Sequence, residues 1–235
     1  MNKTSIMNII QPILRIFFLT AVSFSAMSQN ANNTGSLSDG VRIERSEFEG
    51  TAFYTKKWLS GYAIYENGNK TNTFPLNYEL NQDKLIYQPT EGKTLELLDS
   101  DFVGFIINSP EGAILFTKTN RFEYSDGKIP KMSYVRVYNP SSPSILIEYY
   151  KEIDDPNRSG WTSSSNNTLN AKYEEKSNVY IKNPSGKFEK IKLKAKSILD
   201  VYDADPELKE YLKTNKIKDL DDLVKVMAFV KSNSK

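Results

Sequence analysis

The 235-residue sequence contains no cysteine and no histidine. Without cysteine the protein has no disulfide, no thiolate zinc site and no cysteine nucleophile. Without histidine it lacks the side chain most often used for proton transfer near neutral pH and the commonest ligand of transition metals. These absences exclude Ser-His-Asp hydrolases, zinc hydrolases and haem proteins with a histidine ligand, and we expect neither a metal nor a cofactor.

Long apolar runs are also scarce, and the most apolar stretch lies at the N-terminus. Lys3 and Arg15 precede the run Ile16-Phe17-Phe18-Leu19-Thr20-Ala21-Val22, which is followed by the small-residue motif Ala26-Met27-Ser28. This order predicts a signal peptide over residues 1–28, cleaved before Gln29. The competing interpretation is an uncleaved anchor, but a spanning helix needs about 20 apolar residues and Arg15 interrupts the run. We therefore expect an exported protein, periplasmic or extracellular, with no membrane span after cleavage.

Neither sign of charge is in clear excess, since the sequence has 31 basic and 29 acidic residues. Cleavage would remove Lys3 and Arg15 and no acidic residue, which leaves the exported chain formally neutral. A neutral chain with both signs spread along it lacks the basic footprint of nucleic-acid binders. We exclude nucleic acid as a partner and expect an envelope protein or a glycan instead.

Short alternating segments between glycine-centred turns dominate the middle of the chain. The strongest turn signals are Asn67-Gly68 and Asp126-Gly127, and the spacing between successive turns leaves no room for crossover helices. Residues 29–40, rich in Ser, Asn and Gly, are interpreted as a flexible leader, and residues 41–193 as one antiparallel β domain. The predicted strands are 58–66, 71–78, 84–87, 94–97, 102–107, 113–117, 121–124, 133–138, 144–150, 178–182 and 187–193.

Residues 158–177 form a polar stretch centred on Ser163-Ser164-Ser165-Asn166-Asn167, with Trp161 near its start. We predict a long polar loop inside the β domain. Loops of this length are either disordered or functional, so both a disordered segment and a flap over a ligand stay open.

Helical spacing replaces the alternation after Leu193. Asp205-Pro206-Glu207 places a cap residue, a first-turn proline and an acidic residue at a helix start, and Leu220, Leu223, Val224 and Met227 form a later apolar stripe. Residues 194–235 are predicted to be a helical cap of the same domain. The fold class expected is mainly β: an antiparallel meander forming a sandwich or partly open barrel, with a short α-helical C-terminal cap.

Two stretches carry a family resemblance. The hairpin Gly61-Tyr62-Ala63-Ile64-Tyr65-Glu66-Asn67-Gly68 with Leu76-Asn77-Tyr78, together with the tail from Lys196-Ser197-Ile198-Leu199 to Leu220-Asp221-Asp222-Leu223, resembles exported β-rich proteins of Bacteroidetes that have no known activity. The resemblance implies location and architecture, and it brings no catalytic residues.

One strand is a candidate binding face. In Tyr134-Val135-Arg136-Val137-Tyr138 the residues Tyr134, Arg136 and Tyr138 share one side and the valines the other. An aromatic face with an arginine can stack sugars or peptides, and Trp161 in the polar loop could join it. The alternative interpretation is the ordinary outer face of an antiparallel sheet.

Carboxylate chemistry is the catalytic class that remains without histidine and cysteine. A glycosidase needs two carboxyl groups about 5–9 Å apart. The candidates are Asp99, Asp101, Glu148, Glu152, Asp154 and Asp155. The sequence thus predicts a non-catalytic binding or interaction module of the bacterial cell envelope, with a carboxylate-dependent hydrolase of envelope or extracellular carbohydrate as the alternative.

Overall fold

Ten antiparallel strands form a single sheet. The computed structural model describes residues 48–98, 101–155 and 171–233, so the predicted signal peptide and leader lie outside the described residues. The strands are β1 Leu59–Tyr65, β2 Phe74–Glu79, β3 Lys84–Thr90, β4 Lys93–Glu96, β5 Phe102–Ser109, β6 Gly112–Lys118, β7 Tyr134–Tyr138, β8 Ile145–Asp154, β9 Lys172–Lys182 and β10 Phe188–Ile191. The mainly β, antiparallel prediction is confirmed.

The strand order is β10-β9-β8-β7-β6-β5-β1-β2-β3-β4. Strands that follow one another along the chain are neighbours, except that β5 pairs with β1 instead of β4. The sheet therefore consists of two meanders joined along β1 and β5. It is not closed into a barrel, because β4 and β10 stand at its two edges.

The sheet curls so strongly that its two halves touch. The backbone N–H of Lys151 in β8 donates to the carbonyl of Leu80, which follows β2, at 3.1 Å. Glycine permits the close approach of strands: a Cβ at position 104 would lie 2.3 Å from the carbonyl oxygen of Phe116. The turn residue Asp83 also accepts hydrogen bonds from the N–H and hydroxyl of Ser133, at 2.8 and 2.6 Å.

The curl encloses an aromatic core. Tyr78, Phe105 and Phe116 are fully buried there, and the rings of Phe105 and Phe116 stack with their centroids 4.8 Å apart. A second cluster lies on the same face of the sheet, where Ile145, Ile147 and Ile181 meet the C-terminal helices.

Three helices close the chain as predicted: α1 Ala195–Val201, α2 Pro206–Thr214 and α3 Leu220–Asn233. Asp205 caps α2, since its side chain accepts from the N–H of Leu208 at 2.8 Å and Pro206 takes the first helical position. Leu223 of α3 is completely buried in the second cluster. Within the described ranges, no helix combines the length and apolar character that a membrane span requires.

The predicted strand over residues 121–124 is wrong. A 3₁₀ turn covers Thr119–Arg121, and Tyr124 makes only an isolated bridge to Phe188. The alternation there reflects Phe122 and Tyr124 packing on the opposite face of the sheet, against Phe188 and its neighbours.

The predicted loop 158–177 is too long at its C-terminal end. Strand β9 begins at Lys172 and pairs with β8 up to Asp154. These polar strand ends are held by cross-strand ion pairs, such as Lys176 with Glu152 and Lys172 with Asp154, so a polar composition here does not indicate a loop. Residues 156–170, which include Trp161, lie outside the described residues.

Candidate functional site

Both faces of β7 are covered. Val135 and Val137 are buried in a third cluster with Leu146 and Tyr180, on the far side of the sheet from the helices. Tyr134, Arg136 and Tyr138 face the other way, toward the aromatic core and the helices. The alternation is as predicted, and the side that carries these three residues is buried at Tyr134 and partly exposed at Arg136 and Tyr138.

Tyr134 belongs to the core. Its side chain is only 9% exposed, and its ring makes edge contacts with Phe105 and Tyr78 at centroid distances of 5.1 and 5.8 Å. Burial, with a smaller contribution from the charge of Asp83, raises the pKa of Tyr134 to about 12. The ring therefore packs inside the fold instead of facing a ligand.

Arg136 is half-buried and surrounded by tyrosines. Its Nη1 donates to the hydroxyl of Tyr54 at 3.1 Å, and its guanidinium carbon lies 4.3 Å from the centre of the Tyr138 ring. The Tyr54 ring in turn meets Tyr149 edge-on, with centroids 5.2 Å apart. We call Tyr54, Arg136, Tyr138 and Tyr149 the Arg136 site; all four side chains are partly exposed.

The charge of Arg136 is not neutralised within the described part of the chain, where no carboxylate forms an ion pair with it. Burial alone would lower the pKa of Arg136, but Tyr54, Tyr138 and Tyr149 together raise it, so the guanidinium stays charged. Burial raises the pKa of Tyr54 and of Tyr149. At neutral pH the site therefore combines one cation with neutral hydroxyl groups.

Tyr54 is positioned by a buried lysine. The Lys151 ammonium group donates to the carbonyls of Thr51 and Phe53, at 3.0 and 2.7 Å, and pairs with Glu175 at 3.3 Å. Next to Tyr54, the N–H of Thr55 donates to the side-chain carbonyl of buried Asn77 at 3.2 Å. These bonds fix the 51–55 segment across the sheet, so the Tyr54 hydroxyl is held beside Arg136 before any ligand arrives.

The site lies between two covered zones of one sheet face. Tyr138 packs against the helical cluster, Tyr54 against the aromatic core, and Tyr149 against both. The four side chains thus form a partly exposed group over β7 and β8, with a charged centre and aromatic neighbours.

The sequence analysis did not identify Tyr54 and Tyr149 as site residues. Tyr149 could have been found from the β7–β8 hairpin, which pairs Arg136 with Ile147. Tyr149 is two residues after Ile147 on β8, so it lies on the same face of the sheet as Ile147 and Arg136. Tyr54 belongs to no strand, and its contact with Arg136 spans 82 residues of sequence, which no local pattern can indicate. Trp161, the fourth predicted residue, lies outside the described residues.

Among the described residues, no second candidate carboxylate is buried with Glu148. Glu148 is 1% exposed and is the single buried carboxylate of the described residues. It accepts hydrogen bonds from the Met132 N–H at 3.0 Å, the Asn178 side chain at 2.7 Å and the Tyr180 hydroxyl at 3.1 Å. The other described candidates are solvated or ion-paired residues at or near the ends of strands: Asp101, Glu152, Asp154 and Asp155. Asp99 lies outside the described residues.

Glu148 also lies on the opposite side of β8 from the Arg136 site. Its charge acts there on Tyr124, whose hydroxyl is buried and has no hydrogen-bond partner in the described part of the protein. The charge of Glu148 adds to the effect of burial in raising the pKa of Tyr124. In the described ranges, no three acidic side chains are grouped as ligands of a metal ion.

Comparison with protein-family models, with curated proteins and with solved structures finds no match to this chain.

Proposed function

We propose that this protein is an exported, non-catalytic binding module of the bacterial cell envelope, and that it contacts its ligand through the Arg136 site. The signal-peptide pattern supports export, and the resemblance to exported β-rich proteins of Bacteroidetes agrees with it. The β sheet acts as a rigid scaffold, and the Arg136 site provides the recognition chemistry.

The uncompensated charge of Arg136 carries this proposal. Removing a cation from water costs free energy unless a counter-charge replaces the lost hydration. Arg136 is half-buried, and the side chains that contact it among the described residues are tyrosines. The Glu175 carboxylate acts on Tyr54 but is paired with Lys151. A protein that holds such a group in a pre-arranged setting has a site suited to an external partner that supplies the missing acceptors.

The geometry weighs against the hydrolase alternative. A glycosidase requires two carboxyl groups about 5–9 Å apart in one cleft. Among the described residues only Glu148 is a buried carboxylate, and its two oxygens already accept three hydrogen bonds. It therefore has neither the partner nor the access that the chemistry needs.

Crosslinking in the producing cells tests the proposal. A tagged full-length chain is expressed as wild type, as Arg136→Ala and as Arg121→Ala, and the material captured from the cell envelope is compared. Arg121 is a matched control, because it is an exposed arginine already paired with Glu66 at 2.8 Å. The tagged chain is first checked for export and for a new N-terminus at Gln29.

We expect one defined envelope component to be captured by the wild type and by Arg121→Ala, and to be lost with Arg136→Ala. Equal capture by all three chains would show that the Arg136 site is not the contact surface. A chain that keeps its N-terminal segment and stays in the cytoplasm would overturn the export part of the proposal.

A further inference from the structure

We infer that the Arg136 site binds an acidic sugar, with the carboxylate or sulfate of a glycan seated on the guanidinium of Arg136. This inference rests on the proposed binding function and specifies the ligand class of the same site.

The first step concerns the hydrogen-bond donors of Arg136. A guanidinium has five N–H donors, and in this structure one of its nitrogens, Nη1, donates to the Tyr54 hydroxyl at 3.1 Å. The Tyr149 hydroxyl also lies within hydrogen-bonding reach of the guanidinium, whose face is used by the Tyr138 ring. Two of the five donors are thus engaged, and the others are left for an oxyanion. A planar carboxylate, or two oxygens of a tetrahedral sulfate, present the paired acceptors that arginine binds in bidentate fashion.

The second step concerns the groups around the anion. The Tyr54 and Tyr149 hydroxyls stay protonated at neutral pH, because burial raises the pKa of each. They can therefore donate to an oxyanion or exchange hydrogen bonds with sugar hydroxyls, while their partly exposed rings offer apolar contact to the sugar ring. A hydroxyl-rich ring with one negative charge matches this combination of one cation, several hydroxyl groups and aromatic neighbours.

The third step separates a glycan from a peptide. Extended peptides are commonly recognised by adding a strand to a free sheet edge. Strands β7 and β8, which lie beneath the site, are interior strands with neighbours on both sides, and the two free edges of the sheet are β4 and β10. The main chain at the site is thus already paired, so recognition must use side chains, which favours a sugar over a peptide strand.

A titration observed at Arg136 itself tests the inference. The full chain is purified from cells that produce it with isotope-labelled arginine, and the Arg136 side-chain resonance, assigned with Arg136→Met, is followed by NMR. The probes are glucuronate, a sulfated glucose, neutral glucose, acetate and an N-acetylated tripeptide with a free C-terminal carboxylate. Arg121→Met serves as the matched variant.

We expect at least one acidic sugar to shift the Arg136 resonance and to bind at least tenfold more tightly than glucose and acetate. A charge-assisted pair of this kind predicts a weakening of about tenfold to a hundredfold in Arg136→Met and none in Arg121→Met. Comparison of glucuronate with the sulfated sugar identifies the preferred anion.

Three results would overturn the inference: equal binding of glucose, tighter binding of the tripeptide, or no response of Arg136 to any acidic sugar. None of these results by itself overturns the proposed function. That function is tested by the crosslinking experiment, in which capture is expected to depend on Arg136 for any class of ligand. If the site binds nothing and capture is also independent of Arg136, both the inference and the proposed function fail.

Discussion

Glu148 and Arg136 are both withdrawn from water, but in opposite ways. Glu148 is buried with a full set of donors from a backbone N–H, an amide and a tyrosine hydroxyl. Arg136 is only half-buried and lacks an ionic partner in the described part of the chain. The satisfied group is suited to a structural role, and the unsatisfied one to ligand contact.

Glu148→Gln tests the structural role. The glutamine amide would turn a donor toward groups that already donate, so one buried donor loses its acceptor. We expect the free energy of unfolding to fall by about 2–3 kcal/mol in urea titrations at neutral pH.

Glu152→Gln on the same strand is the matched control, because Glu152 is exposed and pairs with Lys176 at the surface. We expect no measurable change of stability there, since exposed ion pairs contribute little. Equal effects of the two substitutions would contradict the structural role of the Glu148 hydrogen bonds.

The helices and the sheet share one core. Leu223 of α3 is completely buried among side chains that include Ile147 of β8 and Ile181 of β9. Its neighbour Val224 is 38% exposed. If the helical cap is part of the same domain, its apolar stripe must stabilise the sheet as well as the helices.

Leu223→Ala is expected to lower the free energy of unfolding by about 3 kcal/mol, and Val224→Ala by less than about 0.5 kcal/mol. Unfolding is followed both by far-UV circular dichroism and by the fluorescence of Trp58, which precedes β1, in a Trp161→Phe background. A single shared transition, shifted only by Leu223→Ala, is the expected result. Separate transitions, or loss of the helices without a change in the sheet, would contradict a common domain.

The strand positions could be predicted because each depends on local signals. Period-two alternation and glycine turns are encoded within a few residues, and they indicated at least part of each of the ten strands. They missed the polar first half of β9 and added a false strand at 121–124. The pairing of β5 with β1 depends on the path between β4 and β5, for which the sequence has no local signal. The enclosure of Arg136 depends on the curl of the sheet and on Tyr54, so strand alternation could indicate a shared face but not what would cover it.

Tyrosine burial affects the stability of the whole molecule. Burial raises the pKa of Tyr78, Tyr124, Tyr149 and Tyr180, and it raises that of Tyr202 to about 12. In the unfolded chain these groups titrate near pH 10.0. The folded protein therefore holds more protons than the unfolded chain once the pH passes this value.

We expect stability to decline as the pH rises above about 10, because the unfolded chain then releases phenolic protons that the folded state retains. Below that pH this contribution is fully present, so these tyrosines add no pH dependence between about pH 7 and 9. Urea midpoints measured against pH, with tyrosinate absorbance recorded on the same samples, test this. Ionisation of the buried tyrosines at their ordinary pKa in a still-folded protein would be inconsistent with the enclosed aromatic core.

Arg136 is proposed to serve ligand contact and not stability, and the free energy of unfolding of Arg136→Met separates these two roles. Methionine is similar in length, and it removes the cost of holding a partly desolvated, unpaired charge while losing one hydrogen bond to Tyr54. We predict that the free energy of unfolding, measured in urea without any ligand, is unchanged within about 1 kcal/mol or increased. A loss of more than about 1 kcal/mol would contradict the claim, because the guanidinium would then be part of what holds the fold together.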